Sequence, residues 1–234
     1  MPDIFVYTSG GGREDNHDFV GYAESGEVTA VALCDGLGDS SGGVASRMIV
    51  DTVIEVPYED DNDRGWLSQR LLKADIRVKA EQRRTGGSMR STAVVLRLNS
   101  DNAVWAHAGD SRLYYIHDDA IEDVTADHTV AFGKYMNGSI RRSDIRFDRE
   151  RGAILRCIGG EGELRLDFGS ARVQKGDGFV LCTDGLWANL IDQEIVFDYL
   201  KADSAERWAE LLLLRAAERL RPDSDNLSIV TVII

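Results

Sequence analysis

Proline and cysteine are both scarce, with three of each in 234 residues. So little proline, beside an apolar fraction of 43%, argues for a packed globular chain and against a disordered one. No apolar run approaches the roughly 18 residues needed to cross a bilayer. The start, Met1-Pro2-Asp3, lacks the basic stretch of a secretory leader. Cys34, Cys157 and Cys182 are odd in number, sit among apolar neighbours and lack metal-ligand spacing. They read as reduced core residues of a cytoplasmic protein, not as zinc ligands. Positive charge is in deficit too: 27 Lys and Arg against 40 Asp and Glu leave a net charge of −13. That balance argues against nucleic acid and membrane surfaces as partners. Internal repeats and linkers are absent, so residues 1–234 read as one domain.

What is present is acid at the ends of apolar runs. Asp35 follows Val31-Ala32-Leu33-Cys34 and precedes Gly36; Asp184 follows Phe179-Val180-Leu181-Cys182-Thr183 and precedes Gly185. Asp225, with Asn226, stands just before the apolar run 227–234. A carboxylate at a strand mouth is held by rigid backbone yet can point out of the core. Three such mouths brought together would cost several kcal/mol unless cations lay between them. Hard divalent ions, Mg²⁺ or Mn²⁺, suit an all-oxygen site. A single Asp-Gly step is ordinarily a turn, where glycine supplies the positive φ; two such steps and a third strand-edge aspartate point to a shared site.

Apolar runs at 3–8, 19–23, 28–34, 91–98, 102–108, 111–117, 178–183 and 227–234 predict strands. Short turns at Ser25-Gly26-Glu27, Asn99-Ser100-Asp101 and Gly109-Asp110 predict antiparallel hairpins. Amphipathic helices are expected near 42–55 (Val44, Met48, Ile49) and 65–83 (Leu67, Leu71, Leu72, Ile76). A second pair is expected near 192–201 and 204–220, the latter with Trp208, Leu211, Leu212 and Leu214. The pattern implies an α+β class: two antiparallel β-sheets packed face to face with helix pairs outside, a four-layer αββα sandwich. The acidic stretch 57–64 lacks the spacing of a calcium loop and reads as solvated. Segment 138–152 carries Arg141, Arg142, Arg146, Arg149 and Arg151. It reads first as a charged surface loop, and second as a flap offering positive charge to a phosphorylated substrate.

Further polar clusters fall between the strands: Arg13 to Asp18, Gly109-Asp110-Ser111-Arg112 and Asp127-His128. With Asp35 to Asp39, Thr183-Asp184-Gly185 and Asp225-Asn226, they stand in the order of six motifs. The whole resembles the metal-dependent serine/threonine phosphatases of the PP2C type, also called the PPM family, as a bacterial-like single catalytic domain. Leu155 to Gly159 is similar to that family's short helical motif. The resemblance implies two Mn²⁺ or Mg²⁺ ions, with a third, weaker one as in bacterial members. Asp35 and the Gly36 carbonyl, Asp184 and Asp225 would hold the pair. Asp110 would serve the third ion, and Asp18 would act from behind. Arg13 would grip the substrate phosphate, and a hydroxide bridging the ions would attack phosphorus directly. Two cations about 4 Å apart suit that chemistry. Phosphorylated proteins, with a serine/threonine kinase and its substrates, are the implied partners.

Several positions depart from the family pattern. Leu37 stands where the family has a histidine, His17 where it has an acid, Asp39 where it has glycine, and Arg90 where it has a small residue. His17, Leu37 and Asp39 motivate a rival reading, a pseudophosphatase scaffold that binds phosphoproteins or a kinase without turnover; the three retained aspartates argue against it. A metal-dependent phosphodiesterase or nuclease fits the acidic surface poorly. Thr92 and Trp187 are expected to pack, and Asp127-His128 to cap a helix start.

Overall fold

Strand β3 (Val28–Leu37) shows how the chain sorts into layers. Val31 and Leu33 enter one apolar cluster while Ala30, Ala32 and Cys34 enter another, the period-two alternation of a strand buried on both faces. In the computed structural model, which describes residues 1–38, 41–55 and 62–234, β3 lies inside the first sheet. Its order is β2 (Asp18–Ser25), β3, β5 (Ala93–Leu98), β6 (Asn102–Ala108) and β9 (Asp167–Arg172). The two-residue β4 (Arg90–Ser91) pairs with the end of β3. The second sheet runs β1 (Asp3–Ser9), β11 (Leu227–Ile233), β10 (Gly178–Cys182), β7 (Arg112–His117) and β8 (Ala120–Val124). All neighbouring pairs are antiparallel.

The sheets face each other across Val31, Leu33, Val94, Leu96 and Trp105 on one side and Leu113, Tyr115, Phe179, Leu181 and Val230 on the other. Helices α1 (Gly42–Ile54) and α2 (Asp63–Thr85) cover the outer face of the first sheet through Ile49, Val53, Trp66, Leu67 and Leu71. Helices α5 (Asp192–Tyr199) and α6 (Ala205–Ala217) cover the second through Ile195, Trp208, Ala209 and Leu212. Three apolar layers between four structural ones make the expected αββα sandwich. Among the described residues no helix is long and apolar enough to cross a membrane.

Several local expectations fail. Val44, Leu72, Ile76 and Leu214 are exposed, while Ala45, Ala74 and Ala209 are buried in their stead. Close packing on a sheet favours small side chains, which a search for large apolar residues overlooks. Edge strands β8 and β9, and the short helices α3 (Val130–Met136) and α4 (Asp184–Trp187), have no apolar run to announce them. Residues 155–159 are not helical; Ile158 bridges to Ser91 instead. Cys157 is only half-buried. Segment 57–61 and Asp39 lie outside the described residues, whereas Asn62 caps α2 by accepting from the Gly65 N–H at 3.0 Å.

The step Gly109-Asp110-Ser111 is not a hairpin. β6 and β7 belong to different sheets, so these residues carry the chain from one sheet to the other. Gly109, at φ +110, makes the change of direction that a side chain would strain.

Candidate active site

Antiparallel pairing brings the acidic strand ends to one edge of the sandwich. The end of β10 lies beside the start of β11, with Cys182 opposite Ile229, so Asp184 and Asp225 are neighbours. The start of β2 faces the end of β3, with Asp18 opposite Asp35. The crossover holding Asp110 closes the group, since Arg112 stands opposite Cys182. Arg13, Asp35, Gly36, Asp110, Asp184 and Asp225 all line one cleft of about 450 Å³, with His17, Leu37, Gly152 and Ile154. Asp18 lies behind this lining, buried, and accepts from Thr183 Oγ1 at 2.9 Å.

The backbone around these carboxylates is tied down before any ligand arrives. Asp35 N–H donates to Thr92 Oγ1 at 3.0 Å, and its carbonyl accepts from Thr92 N–H at 2.9 Å and Ser91 Oγ at 2.7 Å. Thr92 therefore holds the backbone of Asp35, leaving that carboxylate to the cleft. Asn226 accepts from His17 N–H at 2.7 Å and donates to the carbonyls of Gly10 and Asp15, joining the two ends of the chain. Both Asp-Gly glycines serve closeness and not positive φ. A Cβ on Gly36 would overlap the Gly42 backbone, and one on Gly185 the Asn226 carbonyl. Gly185→Ala should therefore cost at least about 2 kcal/mol, read as a lowered denaturant midpoint; an unchanged midpoint would contradict this packing.

Electrostatics follow from the crowding. Loss of solvent is the leading cause throughout, and the neighbouring carboxylates add to it. Asp35 is pushed well above the usual carboxylate range by burial and then by Asp18, Asp184, Asp110 and Asp225. Asp110 is likewise raised by burial and by Asp184 and Asp127. Burial carries Asp18 to about 7 and Asp184 to about 6. Two buried oxygens, Asp18 Oδ1 and Asp110 Oδ1, have no hydrogen-bond partner among the described residues. Nearby cations are loose: Arg13 is 3.4 Å from Asp225 and Arg151 is 3.9 Å from Asp184. A partly unsatisfied, all-oxygen acidic cage fits hard divalent cations.

Asp127 and His128 do not cap a helix. Helix α3 starts one residue later, where Thr129 Oγ1 accepts from Phe132 N–H at 3.2 Å. Asp127 instead takes both arms of Arg112, at 2.8 and 2.7 Å. The Arg112 guanidinium lies 3.6 Å over the buried Trp187 ring, whose Nε1 donates to the Asp110 carbonyl at 2.9 Å. His128 Nδ1 accepts from Gly109 N–H at 3.1 Å, so the Asp110 turn is held from both sides. Among the described residues, the one trio with ligand atoms all within 4.8 Å is His107, His128 and Asp167. Its two imidazoles are stacked, 4.7 Å between centroids and 11° between planes. Parallel rings cannot both direct in-plane lone pairs at one ion, so this trio is a structural brace.

The arginine-rich stretch divides by function only in three dimensions. Arg142 pairs with Asp192 at 3.2 Å and Arg146 donates to the Leu190 carbonyl, pinning a 3-10 turn over 142–147. Arg151 alone of the five reaches a cleft carboxylate. Nothing in the spacing of the five arginines could have singled it out.

The sequence matches the protein phosphatase 2C family over residues 7–221. A putative protein phosphatase 2C-type protein of Streptococcus pyogenes is 27% identical over 94% of this chain and 92% of its own. A serine/threonine phosphatase from Staphylococcus aureus has the same fold at TM-score 0.91, with 24% identity, covering 100% of this chain and 95% of that one. The catalytic domain of a serine threonine protein phosphatase solved in complex with 2 manganese ions superposes at TM-score 0.85 with 21% identity, over 99% and 97%. With motif order, sandwich and acidic strand ends all in agreement, the chain belongs to the protein phosphatase 2C family.

Proposed function

We propose that the chain hydrolyses phosphoserine and phosphothreonine monoesters of proteins in one step, with divalent cations held at the cleft and no covalent enzyme intermediate. It is a protein serine/threonine phosphatase. The observation that carries the mechanism is the gathering of Asp35, Asp110, Asp184 and Asp225 around one cleft with Asp18 behind them. Asp35, the Gly36 carbonyl, Asp184 and Asp225 would hold two Mn²⁺ or Mg²⁺ ions, Asp110 would serve a third, and Asp18 would support them from behind. When bound, such ions lower the pKa of water and neutralise charge on phosphoryl oxygens.

The protein's own groups supply position. Arg13 sits at the rim with 57% of its side chain exposed, and its long contact to Asp225 leaves its fork free for a phosphate. Arg151 adds a second guanidinium 3.9 Å from Asp184. Thr92 fixes the backbone of Asp35, Thr183 donates to the Asp18 carboxylate, and Asn226 ties the segment before β11 to the Gly10 carbonyl. Leu37 lines the cleft and supplies no proton. Because Arg13 and Asp225 meet there, residues 1–234 would act as one catalytic domain. Products of a serine/threonine kinase are the expected substrates, and the three unpaired cysteines support a cytoplasmic location.

The test is phosphate release from a phosphothreonine peptide with Mn²⁺ added. Turnover should appear with the metal and stop with EDTA. Turnover indifferent to EDTA would remove the metal mechanism, and peptide binding with no turnover would favour a scaffold.

A further inference from the structure

A cleft of about 1160 Å³, larger than the carboxylate cleft, lies between the last turns of α2 and residues 154–165. Ile154 lines both clefts, so they adjoin at that residue. The charge of the second is opposite to the first. Lys79, Arg83, Arg90, Arg156 and Arg165 line it, against two acidic side chains, Glu161 and Glu163. Lys79 is committed to Asp75 at 2.8 Å, and Arg156 to Asp167 at 3.0 Å. The side chains of Arg83, Arg90 and Arg165 are exposed and make no ion pair or hydrogen bond among the described residues. On a chain of net charge −13, three unpaired guanidiniums in one concavity are the exception, not the trend. Arg90 is also where the sequence departs from the small residue expected before Ser91-Thr92.

We propose that this groove receives an acidic segment flanking the phosphorylated residue of a protein substrate, so that the enzyme prefers phosphosites with Asp or Glu nearby. The proposal rests on the phosphatase reading above. A volume of about 1160 Å³ exceeds what one small anion fills, and exposed Leu155 and half-buried Leu164 give a peptide backbone something apolar to lie against. Its position beside the acidic cleft lets the scissile phosphate reach Arg13 while neighbouring carboxylates meet Arg83, Arg90 and Arg165. Repulsion by the acidic remainder of the surface would push such a segment toward this basic groove.

The experiment compares phosphothreonine peptides flanked by Glu with the same peptides carrying Gln, on wild type and on Arg83→Glu/Arg90→Glu/Arg165→Glu, with Mn²⁺. Wild type should favour the Glu peptide by about tenfold in kcat/KM at low salt, through KM, and lose the preference near 0.5 M salt. The triple variant should lose or invert it while hydrolysing p-nitrophenyl phosphate at the wild-type rate. Equal kcat/KM for the two peptides on wild type would overturn the groove and leave the phosphatase standing. Failure to hydrolyse either peptide or p-nitrophenyl phosphate would instead remove the phosphatase reading. Fluorescence anisotropy of the labelled peptides would then decide the groove by itself, with equal affinities for Glu and Gln overturning it.

Discussion

Asp35→Asn is expected to slow phosphothreonine-peptide hydrolysis by roughly a thousandfold while making the metal-free protein more stable. Both effects have one cause. Asp35 stands at the centre of the carboxylate group, raised by burial and by four other aspartates. The amide keeps the shape but removes the charge that would attract cations, and with it part of the repulsion. The pH dependence follows in sign. Asp18 and Asp184 are held at about 7 and about 6, above the ordinary value of 3.8, so the folded metal-free protein binds protons more tightly than the unfolded chain does. Their favourable contribution is complete below the ordinary value and is lost as pH rises through the folded values. The melting temperature of the EDTA-treated wild type should therefore fall between about pH 4 and pH 7.5 and recover on adding Mn²⁺. The variant should fall less and respond less to metal. A flat profile for wild type, or a variant retaining turnover, would count against the cage.

Arg112→Ala should destabilise the protein by about 3–5 kcal/mol, lowering its melting temperature by roughly 10 °C. Arg112 and Asp127 are both buried, with two hydrogen bonds between them. Removing the arginine leaves the Asp127 carboxylate buried and unpaired, and withdraws the plate that presses Trp187 toward the Asp110 carbonyl. The paired replacement Arg112→Met/Asp127→Leu should recover much of the loss, because no buried charge remains without a partner. A single variant as stable as wild type would show that the pair does not brace the turn. A double variant no better than the single would shift the blame from charge to packing.

Much of this protein is legible along its sequence. The apolar runs 28–34 and 227–234 predict strands, and the short turns at 25–27 and 99–101 predict the hairpins that form. Asp35, Asp184 and Asp225 stand out because a charged residue at the end of an apolar run is conspicuous without coordinates. The failures share a character. Gly109-Asp110 reads locally as a turn, and only the partners of β6 and β7 reveal a passage between sheets. Gly36 and Gly185 invite a positive-φ reading, but another stretch of backbone lies where a Cβ would go.

Composition and periodicity by themselves determined the fold class and the acidic character of the strand ends, because these depend on chemistry carried by each segment alone, while the order of the motifs carried the resemblance to the family. Tertiary structure decided which arginine of five reaches the cleft, why Asp127 turns to Arg112, and how Asn226 clasps His17 across 209 residues. Those are relations between segments, set by which surfaces pack once water leaves them, and no local pattern encodes a partner that arrives from the far end of the chain.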